Sequence, residues 1–187
     1  MKVIVTMAGD GTRFKQQGVN PEKYRLQVRG QTMFEYAMQS LEPFFDSRFI
    51  FVTRESHKAR DFVNEKCEEI GIMDREVVEL KSGTSGQATT ALNAEGFIEE
   101  SDAIAIYNID TYVEPGHLTP DALNGDGCIP VFKAVDEGWS FCKLNAERKV
   151  SKVSEKEVIS EYATLGLYYF NEWRLFEQAF EERSEAV

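Results

Sequence analysis

The residues of this chain that are best suited to chemistry begin in a glycine turn close to its first residue. The mostly apolar segment 2–7 runs directly into Ala-Gly-Asp-Gly-Thr-Arg at residues 8–13. Because glycine has no Cβ, backbone N–H groups there can approach an anion closely, and Arg13 adds a planar, permanent charge. The pattern predicts a strand, a tight phosphate-binding loop and a cationic clamp. Glycine loops of this kind are common, so the assignment depends on the residues that follow.

A second cation, Lys23, follows this loop across a polar segment that ends at Pro21. Two cations beside a glycine turn suit a triphosphate, whose charge has to be neutralised from several directions. The alternative is that Lys23 and Arg25 are ordinary surface charges. Lys23 taken alone does not decide between the two.

Asp110 stands at the end of the most apolar segment, 103–107, after Asn108 and Ile109. An unpaired carboxylate is costly in such a place, so it is usually paired, capping a helix or holding a metal. Mg²⁺ prefers carboxylate and phosphate oxygens, so a single Asp that faces bound phosphates is chemically adequate. An Asp that caps a helix or forms a turn would satisfy the same pattern.

Two further segments carry polar groups that suit a ligand. The loop at 82–87 is rich in hydroxyls and opens a helix, and its Gln87 amide offers a donor and an acceptor to a base edge. A plain helix-capping loop fits this segment equally well. Glu155 and Lys156 follow a strand and suit sugar hydroxyls and a phosphate, although such a pair means little by itself.

The elements that must position these residues alternate between strand and helix patterns through the first two-thirds of the chain. A capping box at Thr32 and Glu35 begins one helix, and Ser56 is expected to cap the next. The predicted strands of this part are 2–7, 48–53, 76–80 and 103–107. Such an order predicts a parallel sheet with helices on both faces, and ligands in such sheets bind at the carboxyl ends of the strands. The glycine loop, the 82–87 loop and Asp110 converge there.

From residue 128 onward the pattern changes to strands separated by turns, and a last helix is predicted from about Asn171. The predicted strands are 128–133, 139–144, 149–154 and 162–170. No internal repeat or interdomain linker interrupts the chain.

Composition excludes several classes of function. A net charge of −11 without a basic run argues against binding a nucleic-acid backbone. No apolar segment reaches membrane-spanning length, and the first residues lack a signal-peptide pattern. Cys67, Cys128 and Cys142 are scattered and odd in number, as is typical of a reducing compartment. We expect a cytoplasmic protein with no membrane or nucleic-acid partner, and a homo-oligomer is left open.

Taken together, these segments resemble the sugar nucleotidyltransferase family, also called nucleoside-diphosphate-sugar pyrophosphorylases. The family signature A-G-x-G-[TS]-R-[FL] matches residues 8–14, and the family's lysine a short loop later matches Lys23. The steps G-x-P-[ML], L-x-G-D, E-K-P and G-[IL]-Y-x-F resemble residues 30–33, 107–110, 155–157 and 166–170. The match runs in the right order along almost the whole chain.

The resemblance implies a Rossmann-like three-layer α/β/α sandwich with a mostly parallel central sheet, of the GT-A-like nucleotidyltransferase type and short at its C-terminal end. It implies a single domain over 1–187, with a nucleotide-binding part at 1–125 and a sugar- or acceptor-binding part at 126–187. In the implied reaction, an oxygen of a sugar-1-phosphate or similar phosphomonoester attacks the α-phosphorus of a nucleoside triphosphate, and pyrophosphate leaves. No general base is required, because positioning and charge neutralisation carry the reaction.

By the same resemblance, each role falls on a matching position. Arg13 would hold the leaving β- and γ-phosphates, and Lys23 would bridge the nucleophile and the α-phosphate. Gly166 would leave room for the acceptor, and an amide reader at Gln87 favours a pyrimidine base. The implied site comprises the catalytic residues Arg13 and Lys23, the Mg²⁺ ligand Asp110, the nucleotide-binding residues Ala8, Gly9, Gly11, Thr12, Gly83, Gly86 and Gln87, and the substrate-binding residues Asn108, Glu155, Lys156 and Gly166.

Three motif positions depart from the family pattern: Tyr24 and Glu157 replace prolines, and Ile109 replaces a glycine. These variants resemble the branch associated with capsular and surface-polysaccharide biosynthesis. Many members also continue beyond this length into a tail with a second metal-binding Asp, for which Asp126 and Asp136 are untested substitutes. A truncated or residual nucleotide-binding domain without turnover is therefore the alternative. A dinucleotide-dependent oxidoreductase lacks its third glycine here, and a GT-A glycosyltransferase lacks its D-x-D pair.

Overall fold

The structure is a computed structural model, and it describes residues 1–9 and 22–185 of the chain. The strands are β1 (Lys2–Thr6), β2 (Gln27–Val28), β3 (Gln31–Thr32), β4 (Arg48–Arg54), β5 (Arg75–Leu80), β6 (Ile104–Asn108), β7 (Gly127–Cys128), β8 (Val131–Lys133), β9 (Ser140–Leu144), β10 (Val150–Glu155), β11 (Tyr162–Thr164) and β12 (Leu167–Phe170). The helices are α1 (Met33–Gln39), α2 (Arg60–Ile70), α3 (Gln87–Leu92) and α4 (Trp173–Glu185). Within the described ranges, no helix is long and apolar enough to cross a membrane.

The central sheet has six strands in the order β5-β4-β1-β6-β12-β7. The strands β5, β4, β1 and β6 are parallel, whereas β12 runs antiparallel to β6. In the middle of the sheet Ile4 lies level with Ile50 on one side and Ile106 on the other. The predicted mostly parallel sheet is confirmed, and all four parallel strands end at one edge.

Both faces of this sheet are buried, and the alternation along each strand decides which residue faces which layer. Val3 and Val5 pack in one core with residues of α1 and α2, including the fully buried Phe34. Ile4 packs in a second core with residues of α3 and α4, including Trp173. Burial of each such side chain stabilises the fold by about 1.5–3 kcal/mol. The predicted three-layer α/β/α sandwich is confirmed.

A second, antiparallel sheet continues from the edge of the first, in the order β10-β9-β11-β8. Strand β7 of the central sheet continues into β8 of the second sheet, and β11 of the second sheet continues into β12 of the central sheet. The ribbon stays paired on both sides, β7 with β12 and β8 with β11. The crossing lies at Pro130 and Gly166, where Leu165 N donates to Pro130 O at 3.0 Å. The single strands predicted over 128–133 and 162–170 are each divided at this crossing. Gly166 adopts a φ of +73°, a conformation that favours glycine and bends the ribbon.

The capping box before α1 is confirmed. The backbone N of Glu35 donates to Thr32 Oγ1 at 3.2 Å, and Thr32 N donates to Glu35 Oε2 at 2.7 Å. The prediction of Ser56 as the cap of the next helix is wrong: α2 begins at Arg60 after a 3-10 turn, Glu55–His57. Lys58 takes a left-handed φ of +46°, which separates the turn from the helix.

Candidate active site

The central contact of the site joins the predicted cation Lys23 to the predicted metal ligand Asp110. Lys23 begins a short 3-10 helix, Lys23–Arg25, and Asp110 lies two residues beyond β6. Lys23 Nζ lies 2.8 Å from Asp110 Oδ2, and the two side chains are 30% and 45% exposed. These residues are 87 positions apart in the sequence and meet at the carboxyl edge of the parallel sheet. The arrangement places an ammonium and a carboxylate where a solvent-borne anion or cation can reach both.

A buried tyrosine of β6 holds the loop that carries Asp110. Tyr107, the fourth residue of β6, is fully buried and its Oη donates to Thr111 O at 2.9 Å. Burial raises the pKa of Tyr107 to about 12, so the hydroxyl stays protonated and keeps donating. Farther along, Val113 N donates to Ser40 Oγ at 2.8 Å. These two hydrogen bonds hold the chain directly after Asp110 and help to fix where its carboxylate is presented.

Asn108 and Gly166, both predicted to bind the acceptor, lie in direct contact. Asn108 N donates to Gly166 O at 3.1 Å. A Cβ on Gly166 would lie 3.1 Å from Asn108 Nδ2 and 2.9 Å from Thr111 Oγ1, which is too close for an undisturbed contact. The hydroxyl of Thr6 lies 3.3 Å from Asn108 Oδ1. Gly166 is therefore required by space as well as by its φ, and it lies beside the Asp110 turn.

Ala8 and Gly83, both predicted to bind the nucleotide, are connected by a residue that the sequence did not single out. Arg54, the last residue of β4, donates from Nε to Ala8 O at 2.6 Å. Its guanidinium carbon would lie 2.8 Å from a Cβ on Gly83, so the group lies against the glycine backbone. Arg54 and Asp110 occupy equivalent places, because each follows apolar strand residues at the carboxyl edge of the sheet. That shared position was the available signal, and the absence of any motif around Arg54 is why it was missed.

Gln87 opens helix α3, with Gly86 in extended backbone before it. The side-chain Nε2 of Gln87 is buried and has no hydrogen-bond partner in the described part of the chain. Neighbouring hydroxyls are paired with one another, as Thr84 and Thr90 are at 2.5 Å. A buried donor without a partner costs about 1–3 kcal/mol, and such atoms are rare in folded proteins. Within the described part of the chain this amide donor is therefore unused and is available to a ligand.

Glu155 ends β10 in the second sheet, and Lys156, the next residue, pairs with it. Lys156 Nζ lies 2.7 Å from Glu155 Oε1, and this hydrogen bond lowers the pKa of the Glu155 carboxyl. Glu155 is level with Ser140 of β9, and β9 pairs with β11 at Phe141 and Ala163. The antiparallel register therefore puts Glu155 two strands from the end of β11, about 10 Å away. The pair lies at the end of the second sheet that leads into Gly166.

Of the two substitutes considered for a second metal-binding Asp, Asp126 lies away from Asp110 and Asp136 is engaged within its own turn. Asp126 directly precedes Gly127, the first residue of β7. Gly127 pairs with Phe170, which pairs with Ile104 at the start of β6. That end of β6 is about 13 Å along the strand from Asn108. Asp136 accepts from Gly138 N and from Trp139 Nε1 within its own turn. Among residues 1–9 and 22–185, no three His, Cys, Asp or Glu side chains group to hold a metal by themselves.

A hairpin next to Asp110 leaves open space for a substrate. Strands β2 and β3 are joined by Arg29 and Gly30, both with positive φ, as in the tight two-residue turns of hairpins. Tyr36 donates from Oη to Val28 O at 3.2 Å. A cavity of about 390 Å³ lies between this hairpin and the Asp110 turn, lined by Val28, Arg29, Met33, Tyr36, Asp110, Thr111 and Tyr112. Substrate atoms bound to Asp110 would have room on this side.

The remaining predicted residues, Gly11, Thr12 and Arg13, lie outside the described residues. Gly9 is described at the end of the first range, directly after Ala8. Of the predicted site, the structure brings Lys23 to Asp110, Asn108 to Gly166, and Ala8 to Gly83 through Arg54. Glu155 and Lys156 form a separate pair.

The fold is shared with solved structures of other proteins. The nucleoside-diphosphate-sugar pyrophosphorylase from Vibrio cholerae RC9 matches 98% of this chain and 78% of its own, with 32% sequence identity and a TM-score of 0.87. A Bacillus anthracis protein assigned as a glucose-1-phosphate thymidylyltransferase, in complex with sucrose, matches 97% of this chain and 75% of its own at 20% identity and a TM-score of 0.78.

The inositol-1-phosphate CTP transferase of T. maritima matches 94% of this chain and 72% of its own, at 22% identity and a TM-score of 0.77. These two more distant structures share the fold. No protein-family model matches the sequence, and no curated protein matches it either.

Proposed function

We propose that this chain, which belongs to the sugar nucleotidyltransferase (nucleoside-diphosphate-sugar pyrophosphorylase) family, transfers a nucleotidyl group from a nucleoside triphosphate to a sugar-1-phosphate or similar phosphomonoester. The observation that carries the proposal is the contact of Lys23 Nζ with Asp110 Oδ2 at 2.8 Å. It lies at the sheet edge where β4 ends at Arg54 and where Ala8 follows β1. An edge of this kind is where open parallel sheets bind their ligands.

In the proposed reaction, an ionised oxygen of the acceptor phosphate attacks the α-phosphorus of the triphosphate. A new P–O bond forms on one side, the bond to the β-phosphate oxygen breaks on the other, and pyrophosphate leaves with the electron pair. The nucleophile is already ionised, so no residue has to remove a proton. What remains for the protein is to hold two anions in line and to offset their charge.

Lys23 supplies that charge in the proposed mechanism. Its ammonium reaches the Asp110 carboxylate in the structure, so it also reaches any phosphate oxygen that binds beside this carboxylate. Lys23 would offset the charge that develops between the acceptor oxygen and the α-phosphate. A cation fixed at such a point contributes more than it would in water, because it needs no reorganisation during the reaction.

We propose Asp110 as the ligand of a Mg²⁺ ion. One partly exposed carboxylate, with no cluster of other acids among the described residues, fits a cation that takes most of its ligands from substrate phosphates and water. Bound there, Mg²⁺ would neutralise phosphate charge and polarise the α-phosphate. Asp110 holds its place through the Tyr107 contact to Thr111 O, so the carboxylate is presented at a fixed point.

For the two substrates, we propose opposite sides of this centre. The Nε2 of Gln87, which has no hydrogen-bond partner among the described residues, supports a base bound at the α3 end, where an amide that donates and accepts favours a pyrimidine. The close approach of Gly166 to Asn108 supports an acceptor bound at the crossing between the sheets. Glu155 and Lys156, at the end of the second sheet, would complete the acceptor side.

We further propose that the product is an activated sugar for surface polysaccharide synthesis in the cytoplasm. Support comes from the motif variants Tyr24, Ile109 and Glu157, which resemble that branch. The three cysteines are free thiols, and burial raises the pKa of Cys67 to about 12, which keeps that thiol protonated and unreactive.

The test is pyrophosphate release by the purified chain with MgCl₂, each of CTP, UTP, dTTP, ATP and GTP, and a panel of sugar-1-phosphates. Release that requires one nucleotide and one acceptor together, and that stops with EDTA, is the expected result. Calorimetry with each nucleotide runs in parallel. Nucleotide binding without release under any combination would instead favour the non-catalytic alternative.

A further inference from the structure

Arg54 occupies a position between the two loops that are proposed to bind the nucleotide. It ends β4, where its backbone pairs in register with Leu80 of β5. From there Nε donates to Ala8 O at 2.6 Å, on the loop that follows β1. The other end of the guanidinium lies against Gly83, on the loop that follows β5. One side chain therefore contacts both loops.

The contact with Gly83 depends on the missing side chain of that glycine. A Cβ there would lie 2.8 Å from the guanidinium carbon of Arg54 and 3.3 Å from one terminal nitrogen. The φ of Gly83 does not require glycine, so space is the reason for this residue. Because the obstructing atoms end a flexible side chain, an alanine at this position would push the guanidinium away and leave the backbone in place.

We propose that Arg54 is a positioning residue that fixes the spacing between the Ala8–Gly9 loop and the 82–87 loop, and thereby sets the affinity for the nucleoside triphosphate. The proposal rests on the proposed function, since it assigns the nucleotide to these two loops. A planar group with five donors suits this task better than an ammonium, because one edge can donate to a carbonyl while the plane packs on a backbone. Loops held in their bound spacing lose less entropy when the ligand binds.

The experiment compares Arg54→Ala, Arg54→Lys, Gly83→Ala and the double variant Arg54→Ala/Gly83→Ala. We expect Arg54→Ala to raise the Kd and KM for the triphosphate by roughly ten- to a hundredfold, the range for loss of a charged hydrogen bond. The KM for the sugar phosphate should stay within about twofold, because Ala8 and Gly83, which Arg54 contacts, belong to the proposed nucleotide side. Gly83→Ala should reproduce much of the effect, and in the Arg54→Ala background it should add little, since there is no guanidinium left to displace.

Two control variants carry matched changes elsewhere. Arg75 lies at the opposite end of the sheet and makes similar hydrogen bonds: its Nε donates to Asn64 Oδ1, and one terminal nitrogen donates to Ile72 O. Gly96 has an ordinary φ and no atom within 4 Å of an added Cβ. Neither Arg75→Ala nor Gly96→Ala should change the triphosphate Kd. Thermal unfolding of all variants separates loss of fold from loss of affinity.

Several results would overturn the positioning role. These are an unchanged triphosphate Kd in Arg54→Ala, equal rises in both KM values, additive effects in the double variant, or full recovery of affinity by Arg54→Lys. Equilibrium binding of CTP, UTP, dTTP, ATP and GTP needs no turnover, so the proposal is decided even if the wild type releases no pyrophosphate. In that case the proposed reaction fails while Arg54 retains its role. A wild type that binds none of the five overturns both.

Discussion

Asp102 and Asp110 stand at opposite ends of β6, and each pairs with a lysine, which gives a direct test of the site. Asp102 lies before the strand and contacts Lys2 Nζ at 2.5 Å. Asp110 lies after it and contacts Lys23 Nζ at 2.8 Å. The same substitution, Asp to Asn, can therefore be made at both ends of one strand. We expect opposite results: Asp102→Asn loses stability and keeps turnover, while Asp110→Asn loses turnover and keeps stability.

The stability side follows from the surroundings of each carboxylate. Asp110 is 45% exposed, and an exposed ion pair contributes about 0–1 kcal/mol. For 187 residues the entropy of unfolding is about 0.4 kcal/mol/K, so Asp110→Asn should lower Tm by no more than about 3 °C. Asp102 is 27% exposed and also accepts from Glu99 N at 2.7 Å. Burial opposes its ionisation, but these hydrogen bonds outweigh burial and lower its pKa. Asp102→Asn should therefore lower Tm by about 3–7 °C.

The activity side follows from what each residue faces. Removal of a group that stabilises charge in the transition state lowers the rate by about 10²–10³-fold or more. We expect a loss of at least that size in kcat for Asp110→Asn and for Lys23→Ala. Asp102 lies at the amino edge of the sheet, remote from the site, so Asp102→Asn should retain the wild-type kcat.

The assay is pyrophosphate release at saturating substrates, with Tm measured by calorimetry on the same preparations. A kcat within about threefold of wild type in Asp110→Asn would refute the role of this carboxylate. So would a fall in Tm as large as that of Asp102→Asn, since the loss of turnover would then reflect a damaged fold.

Three further predictions follow from neighbouring contacts. Gly166→Ala would put an alanine at a φ of +73°, with its Cβ against Asn108 and Thr111. The variant should destabilise the fold by about 1–2 kcal/mol in urea unfolding and raise the acceptor KM in steady-state kinetics. Burial opposes ionisation of Glu35, but its contacts with the helix cap outweigh burial and lower its pKa from 4.5. The ionised carboxylate therefore stabilises the fold above pH 4.5. Urea unfolding should show wild type more stable than Glu35→Gln by about 1 kcal/mol at pH 7, and this difference should disappear as the pH falls below 4.5. Tyr107→Phe leaves Thr111 O without its donor and should lower kcat more than it changes the nucleotide Kd, and an unchanged kcat would show that the Asp110 turn does not depend on this anchor.

The carboxyl edge of the sheet was predictable from the sequence, because the strands that form it are short apolar runs separated by helical patterns. The predicted strands 48–53 and 76–80 differ from β4 and β5 by a residue at one end or the other. The apolar run of β4 was sufficient there, since a strand buried on both faces needs apolar residues along its length, whereas β5 lies at the edge of the sheet and keeps charged residues among its apolar ones. Asp110 followed from the same reasoning, as a charge placed directly after such a run.

The crossing between the two sheets was not predictable in the same way. An apolar run such as 162–170 has the same pattern whether it belongs to one sheet or passes from one to another. Which strand it pairs with depends on distant partners, and only Pro130 and Gly166 mark the bend locally. Helix α2 was misplaced for a related reason: Ser56 is a good cap by type, but the left-handed Lys58 ends the turn before the helix begins.

Under the proposed function, the Lys23–Asp110 pair would help an acidic protein to hold two anionic substrates. Asp110 already offsets the charge of Lys23 at 2.8 Å, and the net charge of −11 opposes the approach of further anions. Lys23 cannot remain fully engaged with this carboxylate and also neutralise a phosphate. A divalent cation that arrives with the triphosphate would give Asp110 a stronger partner and reverse the sign of the local charge. The ammonium of Lys23 would then turn to the phosphate oxygens beside it. On this argument Asp110 would hold the Lys23 ammonium until a divalent cation binds, and the ammonium would then be available to neutralise the substrate phosphate.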